Sequence, residues 1–287
     1  MSVNKLYIRD DIVIDLSRVM NASALIAGRT RSGKTTGILS VFILPALLQG
    51  RDKFGSEIVI VDPKSAELSM CPHVLAPKLD GDVEHIFEAV CNFNRTRVMR
   101  QKAINEAGLA GGKAVKWWDL GMHASILFLD EYVSLQGLLP KKASKDKPYY
   151  SLEEFKNQIR QIATQGASAG CFLILSTAEA SVGTGGLEAA VNKACGIRVL
   201  FKPSKDEASY LWSSEQLEVL RERRFGAGDA WFSADDGIND RPRFVKFPFL
   251  EFGEYEALSE LLTKYYEEKE HRAEGSDATH YVSVKTS

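Results

Sequence analysis

The chain has 287 residues, 45% of them hydrophobic and 26% charged, and 36 basic against 38 acidic side chains give a formal net charge of −2. These values are typical of one large soluble domain, and they mean that any contact with an anionic polymer must come from local basic loops. No apolar run approaches the ~20 residues of a membrane span and no secretory leader is recognisable, so we expect a cytoplasmic protein. The four cysteines form no C-x-x-C pair, so no zinc site or disulfide framework is predicted, and Cys171 and Cys195 are expected in the core.

Strand and helix patterns alternate along the chain. Strands are predicted at residues 11–15, 24–28, 57–62, 125–131, 171–177, 196–201 and 229–232. Helices are predicted at residues 34–48 with a kink at Pro45, at 82–107, from 152 behind a Ser151–Glu154 capping box, and at 252–267. This order predicts a single α/β domain over residues 1–267, with a mostly parallel sheet flanked by helices. The polar residues 268–287 are expected to form a disordered tail.

A phosphate-binding loop is the clearest motif. Residues 28–35, Gly-Arg-Thr-Arg-Ser-Gly-Lys-Thr, fit the pattern G-x-x-x-x-G-K-[ST] between a buried strand and a helix. Such a loop aims backbone N–H groups at one anion, Lys34 reaches the β- and γ-phosphates, and the Thr35 hydroxyl holds Mg²⁺. The predicted ATP-binding residues of this segment are Gly28, Arg29, Thr30, Arg31, Ser32, Gly33, Lys34, Thr35 and Thr36.

A second apolar strand ends in the acidic pair Asp130-Glu131. Beside a phosphate-binding loop, Asp130 is expected to join the Mg²⁺ shell and Glu131 to act as general base on the attacking water. An acidic strand end has little specificity by itself, but the complete loop upstream favours a hydrolytic site for ATP.

Several segments together resemble the FtsK/SpoIIIE family of hexameric DNA-pumping ATPases. They are Val13–Arg18 leading into the loop, Ile60-Val-Asp62-Pro-Lys64 with Glu67-Leu68, Gln165–Thr177, Gly185–Leu187, Arg198–Phe201 and Gly226–Asp229. The resemblance covers residues 11–249 and implies a RecA-like P-loop NTPase that assembles into a hexameric ring and moves double-stranded DNA. It also implies a plasmid, phage or conjugative-element member with a membrane-anchored or relaxase-type partner.

The resemblance suggests further site residues. Thr177 and Gly228 are expected near the nucleotide, and Arg198 is expected to act as an arginine finger on a neighbouring subunit, or alternatively to be a strand-edge salt-bridge partner. Asp62 and Lys64 are expected either to line the ATP or subunit-interface region or to form a strand-end turn. The family usually has a Gln-Arg pair directly after the strand that ends at Thr177. Here the two positions are Ala178 and Glu179, which predicts slow intrinsic hydrolysis.

Basic and aromatic residues supply candidate contacts to DNA. The loop 137–150 carries Lys141, Lys142, Lys145 and Lys147 beside Tyr149 and Tyr150, although such a charge run is as often merely solvated. A basic helix face from Arg95 to Lys102 competes with it. Trp117 and Trp118 could stack on bases, but packing within the protein is the alternative.

The expected function is therefore an ATP-driven DNA translocase or DNA-transfer coupling ATPase. Two alternatives remain open, an FtsK-like module of a protein-secretion machine and a nucleotide-binding docking subunit of low turnover. DNA-stimulated ATP hydrolysis would separate the first function from the other two.

Overall fold

The computed structural model describes residues 4–9, 11–21, 23–178, 187–218, 220, 223–248 and 254–277. The chain opens with an antiparallel ribbon of β1 (Lys5–Arg9) and β2 (Ile12–Asp15). The predicted strand at 11–15 corresponds to β2, whereas β1 was not predicted. Alternate residues Leu6, Ile8, Ile12 and Ile14 are buried, so the ribbon packs one face on the main domain.

An eight-stranded sheet forms the centre of the domain. Its first half contains β3 (Ser23–Gly28), α1 (Lys34–Ile38), α2 (Leu44–Gln49), β4 (Ile58–Val61), β5 (Val74–Leu75), α3 (Glu84–Gly111), β6 (Ser125–Leu129) and α4 (Tyr132–Leu138). Its second half contains α5 (Leu152–Ala169), β7 (Cys171–Thr177), α6 (Ala189–Lys193), β8 (Cys195–Phe201), α7 (Lys205–Ser209), α8 (Ser214–Leu217), β9 (Asp229–Ala234), β10 (Arg243–Lys246) and α9 (Glu254–Asp277).

The strands lie in the order β10-β9-β8-β3-β7-β6-β4-β5. The pairs from β8 to β5 are parallel, and β9 and β10 extend one edge in antiparallel fashion. Two apolar cores cover the two faces of the sheet. One contains Phe42 and Leu258, and the other contains Phe93 and Phe155. The predicted α/β fold, with a mostly parallel sheet between helices, is confirmed.

The helical region after the phosphate-binding loop continues past Pro45 through a local change of winding. A π-helical segment, Leu39–Ile43, joins α1 to α2, and Pro45 lies in the first turn of α2. A proline inside a helix removes one hydrogen bond and crowds the preceding turn, and the wider π turn relieves both effects. The predicted disturbance at Pro45 therefore takes the form of a π segment.

Two helices extend beyond their predicted ends. Helix α3 continues to Gly111 and ends at Gly112 in a left-handed conformation with φ +59°. Helix α9 continues to Asp277, so the expected tail at 268–287 is helical in its first ten residues, because Glu, Lys, Arg and Ala form helices without an apolar stripe. Residues 278–287 lie outside the described ranges.

The N-cap of α5 is confirmed. The Ser151 hydroxyl accepts from the main-chain N–H of Glu154 at 3.2 Å, while the Glu154 carboxylate accepts from Gln158 instead of closing a capping box. Within the described residues, no helix combines the length and apolar character that crossing a bilayer requires.

Candidate active site

The carboxyl ends of three neighbouring parallel strands form the candidate site. Strand β7 pairs with β3 on one side and with β6 on the other, and Thr177 lies opposite Ala27 in the β3 register. The phosphate-binding loop follows β3 and the acidic pair follows β6. Because parallel strands end at one edge of the sheet, two motifs about 100 positions apart in the chain meet there.

Glycines allow the phosphate-binding loop its close packing. Gly33 has φ +92° and starts α1, and a Cβ at this position would lie 2.7 Å from the main-chain nitrogen of Gly228. A Cβ on Gly28 would lie 2.7 Å from Cβ of Phe201 on β8. Gly228 donates its N–H to the Ser32 carbonyl at 2.8 Å, so this residue supports the loop directly. Arg29, Thr30 and Arg31 are exposed at the loop tip.

Lys34 and Glu131 form an ion pair at the centre of the site. Lys34 is only 6% exposed, and its Nζ lies 3.0 Å from Oε1 of Glu131. Lys64 contacts the same oxygen at 3.4 Å. Burial pushes the pKa of the Glu131 carboxyl upward, but the two ammonium groups outweigh it and hold the pKa below its usual range. Glu131 is therefore ionised at neutral pH, as a general base must be.

Asp130 lies in a different electrostatic environment. Desolvation raises the pKa of its carboxyl, against the opposing effects of a hydrogen bond from the Ser176 hydroxyl and of Lys34. The same hydroxyl accepts the main-chain N–H of Glu131 at 3.2 Å. Ser176 on β7 thus fixes both members of the acidic pair.

These residues fit a nucleotide phosphate with Mg²⁺. The Ser32 hydroxyl is buried and has no hydrogen-bond partner among the described residues, and Lys34 presents a buried ammonium beside it in the loop. Thr35 and Thr36 are half-buried in the first turn of α1. Asp130, directly after β6, is a poorly solvated carboxylate. Thr35 and Asp130 are the residues that would hold Mg²⁺, because hydroxyl and carboxylate oxygens are its preferred protein ligands.

Asp62 and Lys64, for which the sequence predicts the same two alternative roles, make different contacts in the structure. The Asp62 carboxylate is buried and accepts three main-chain N–H groups, from Lys64 at 3.1 Å, Ala66 at 2.8 Å and Ser69 at 3.2 Å. Asp62 therefore forms the strand-end turn, which was one of its two expected roles. The side chain of Lys64 instead extends to Glu131.

Thr177 and Ala178 follow Ser176 at the end of β7, between the phosphate-binding loop and the acidic pair. Both are half-buried. Ala178 is thus in the region that the resemblance assigns to a sensor of the γ-phosphate. Glu179, Gly185 and Gly186 lie outside the described residues.

Arg198 contacts main-chain carbonyls of its own subunit. Its guanidinium donates to the oxygens of Cys195 at 3.2 Å, Asn192 at 3.2 Å and Leu211. Cys195 begins β8, so these bonds hold the guanidinium toward the strand end opposite the phosphate-binding loop. They differ from the salt bridge that was the alternative expectation. A role as a finger on a neighbouring subunit stays a prediction.

Sequence reasoning missed two residues of the site. Ser176 directly follows the apolar run of β7, and its side chain is fully buried. A hydroxyl at the end of an apolar strand was the available signal. Lys202 follows β8 with φ +45°, and its Nζ donates to the Arg31 carbonyl at 3.3 Å. No sequence pattern pairs Lys202 with a loop 171 positions away.

The candidate DNA contacts are only partly available. Lys141, Lys142 and Lys145 are exposed, and Tyr149 is 76% exposed. Lys147 pairs with Glu84 and lies over the Tyr150 ring, so it anchors this loop to α3.

Burial removes residues from the other two candidate DNA-contacting surfaces, the basic face of α3 and the Trp117-Trp118 pair. Arg97 and Arg100 are 6% and 1% exposed, so the expected basic face of α3 retains only Arg95 and Lys102. Trp117 is buried against Trp118 and Phe172, as in the packing alternative.

Comparison with known proteins finds a partial sequence similarity and several structures of the same fold. No protein-family model matches the chain. An FtsK domain-containing protein of Bacillus subtilis (strain 168), YdcQ, is 27% identical over 152 residues, which are 53% of this chain and 28% of that protein. The chain therefore matches little more than a quarter of this curated relative's length.

Solved structures show the same fold at low identity. The pCW3 conjugation coupling protein TcpA, in a monomer form with ATPγS, superposes with a TM-score of 0.60 and 16% identity over 88% of this chain and 66% of that one. The cytoplasmic domain of EssC gives 0.59 and 16% over 84% and 41%. EssC ATPases 2 and 3 from Geobacillus thermodenitrificans give 0.54 and 14% over 94% and 50%. With the phosphate-binding loop and the acidic pair at the carboxyl ends of neighbouring strands, the chain has the fold of these proteins, and part of its sequence is similar to an FtsK domain-containing protein.

Proposed function

We propose that this domain binds and hydrolyses ATP at the carboxyl ends of β3, β7 and β6. The observation that carries the proposal is the 3.0 Å contact between Lys34 and Glu131 beside the phosphate-binding loop. A phosphate-binding cation and an ionised carboxylate are thus within reach of one bound phosphate. The fold shared with EssC ATPases 2 and 3, and with TcpA solved in the presence of ATPγS, supports the same activity.

The chemistry follows from the residue types. Lys34 and the loop N–H groups bind the β- and γ-phosphates, and Mg²⁺ held by Thr35 and Asp130 would neutralise phosphate charge when bound. Glu131 accepts a proton from the attacking water as the new oxygen–phosphorus bond forms and the bond to the β-phosphate oxygen breaks. The products are ADP and inorganic phosphate. General-base assistance of this kind contributes about 10²–10⁴ in rate.

We further propose that hydrolysis drives movement of double-stranded DNA through a ring of identical subunits, most simply a hexamer. The exposed Lys141, Lys142 and Lys145, with Tyr149, offer a surface for the phosphate backbone. The conjugation coupling protein among the structural neighbours supports a role in conjugation. The membrane-anchored or relaxase-type partner in this proposal comes from the family resemblance alone.

The deciding experiment measures ATP turnover with and without duplex DNA, while the oligomer mass is recorded with and without ATP. We expect Mg²⁺-dependent hydrolysis, stimulation by DNA of unrelated sequences, and a ring-sized particle with ATP. If DNA leaves the rate of hydrolysis unchanged and a secretion-substrate polypeptide raises it, the cargo is a polypeptide and not DNA. Nucleotide binding without turnover under any of these conditions would contradict the motor function.

A further inference from the structure

Lys64 is held beside the general base by the architecture of the sheet. Strand β4 is the parallel neighbour of β6, and the main-chain N–H of Asp130 donates to the Val61 carbonyl at 2.9 Å. The turn after β4 is fixed by the Asp62 carboxylate, which accepts the N–H of Lys64. The backbone of Lys64 is therefore fixed, and its ammonium reaches Glu131 Oε1 at 3.4 Å.

The two cations on Glu131 differ in their surroundings. The side chain of Lys34 is 7% exposed and belongs to the phosphate-binding loop, whereas that of Lys64 is 47% exposed and belongs to the turn after β4. A nucleotide phosphate competes with Glu131 for Lys34, because the ammonium in this loop is the group that reaches the β- and γ-phosphates. When Lys34 turns to phosphate, Glu131 loses its closer counter-charge and faces an anionic ligand.

Neighbouring carboxylates do not divert Lys64 from this role. The oxygens of Asp62 are occupied by three main-chain donors. Asp130 accepts the Ser176 hydroxyl. Among the described residues, the recorded ion pair of Lys64 is with Glu131.

We propose that Lys64 is a positioning residue that takes over the charge of Glu131 when Lys34 binds nucleotide phosphate. The inference rests on the proposed ATP site and adds to it a second cation outside the phosphate-binding loop. Without Lys64, Glu131 would both repel the triphosphate and compete with it for Lys34. Lys64 should therefore favour nucleotide binding only while Glu131 is a carboxylate.

A double-mutant cycle on the affinity for ATPγS with Mg²⁺ tests this coupling. Lys64→Met should raise Kd about three- to tenfold in the wild-type background, since a half-exposed pair in a partly buried site has a modest effect. The same change in a Glu131→Gln background should leave Kd within about twofold. Lys64→Arg should keep most of the affinity, and Lys113→Met, which removes an exposed charge after α3, is the matched control.

The outcomes separate this inference from the proposed function. Equal loss of affinity in both backgrounds, or no loss in the wild-type background, would overturn the coupling between Lys64 and Glu131. If wild-type protein fails to bind ATPγS, or binds it as well after Lys34→Ala, the ATP site itself is wrong. Circular dichroism and thermal unfolding of each variant confirm that a change in Kd does not come from misfolding.

Discussion

Lys34 Nζ and Glu131 Oε1 lie 3.0 Å apart, so the phosphate-binding cation and the general base of the proposed reaction neutralise each other in this structure. Both side chains are poorly exposed, at 7% and 13%. A bound phosphate must therefore replace a carboxylate as the partner of Lys34. This exchange links nucleotide binding to release of the base, and it makes the two residues testable separately.

Replacement of Lys34 should weaken nucleotide binding. Lys34→Ala removes a charge-assisted hydrogen bond to phosphate, worth about 1.5–3 kcal/mol, or roughly 10- to 150-fold in Kd. Titration with ATPγS in the presence of Mg²⁺ measures the change. Equal affinity of the variant and the wild type would place the phosphate elsewhere.

Replacement of Glu131 should separate binding from turnover. Glu131→Gln keeps the size of the side chain but removes the base, so ATP should stay bound while kcat falls about 10²–10⁴-fold. Rapid-quench measurement of single turnover isolates the chemical step from product release. An unchanged rate in that step would transfer the role of base to another residue.

Contact with DNA should depend on the exposed lysines of the loop between α4 and α5. Replacement of Lys141, Lys142 and Lys145 together by alanine should lower the slope of log K against log salt by up to ~0.9 per lost phosphate contact. Lys147→Ala is measured separately because this residue pairs with Glu84. A triple variant with the wild-type slope would point to Arg95 and Lys102, or to a cargo other than DNA.

Ala178 should respond to substitution if the sensor position is correctly identified. Ala178→Gln adds a donor and an acceptor at the end of β7, between the phosphate-binding loop and the acidic pair. We expect a rise in basal hydrolysis of roughly 2–10-fold, because an amide can orient the attacking water. Ala178→Leu, of similar size without polar atoms, is the control. The same rate in Ala178→Gln and the wild type would place the sensor on another residue.

Two buried cysteines should resist alkylation in the folded protein. Cys171 and Cys195 are 0% and 1% exposed, and burial raises the pKa of their thiols to about 11 and about 12. Since the thiolate is the reactive form, little of it is present at pH 8. Mass spectrometry after brief iodoacetamide treatment should show both unmodified until denaturant is added. Rapid labelling in native buffer would contradict the packing of β7 and β8.

Local patterns in the sequence were sufficient for six of the eight strands of the main sheet and for the phosphate-binding loop, whereas β5 and β10 were not predicted. The phosphate-binding loop is recognisable because Gly28, Gly33 and Lys34 lie at fixed spacing within eight residues. Strands such as Cys171–Thr177 are indicated by a continuous apolar run. Helix ends were less predictable, since the last turns of α9 depend on propensity rather than on an apolar stripe.

Only the tertiary structure decided which distant side chains meet. Insertion of β7 between β3 and β6 places Ser176 against Asp130, and pairing of β4 with β6 places Lys64 against Glu131. Arg100, which in the sequence belonged to a basic face, is fully buried against Asp52, 48 positions away. Strand order and burial depend on contacts between segments far apart in the chain, and a local charge or hydroxyl carries no information about its partner. The sequence alone therefore determined the chemistry of the phosphate-binding loop and the acidic pair, whereas the fold determined how the charges around Glu131 are balanced.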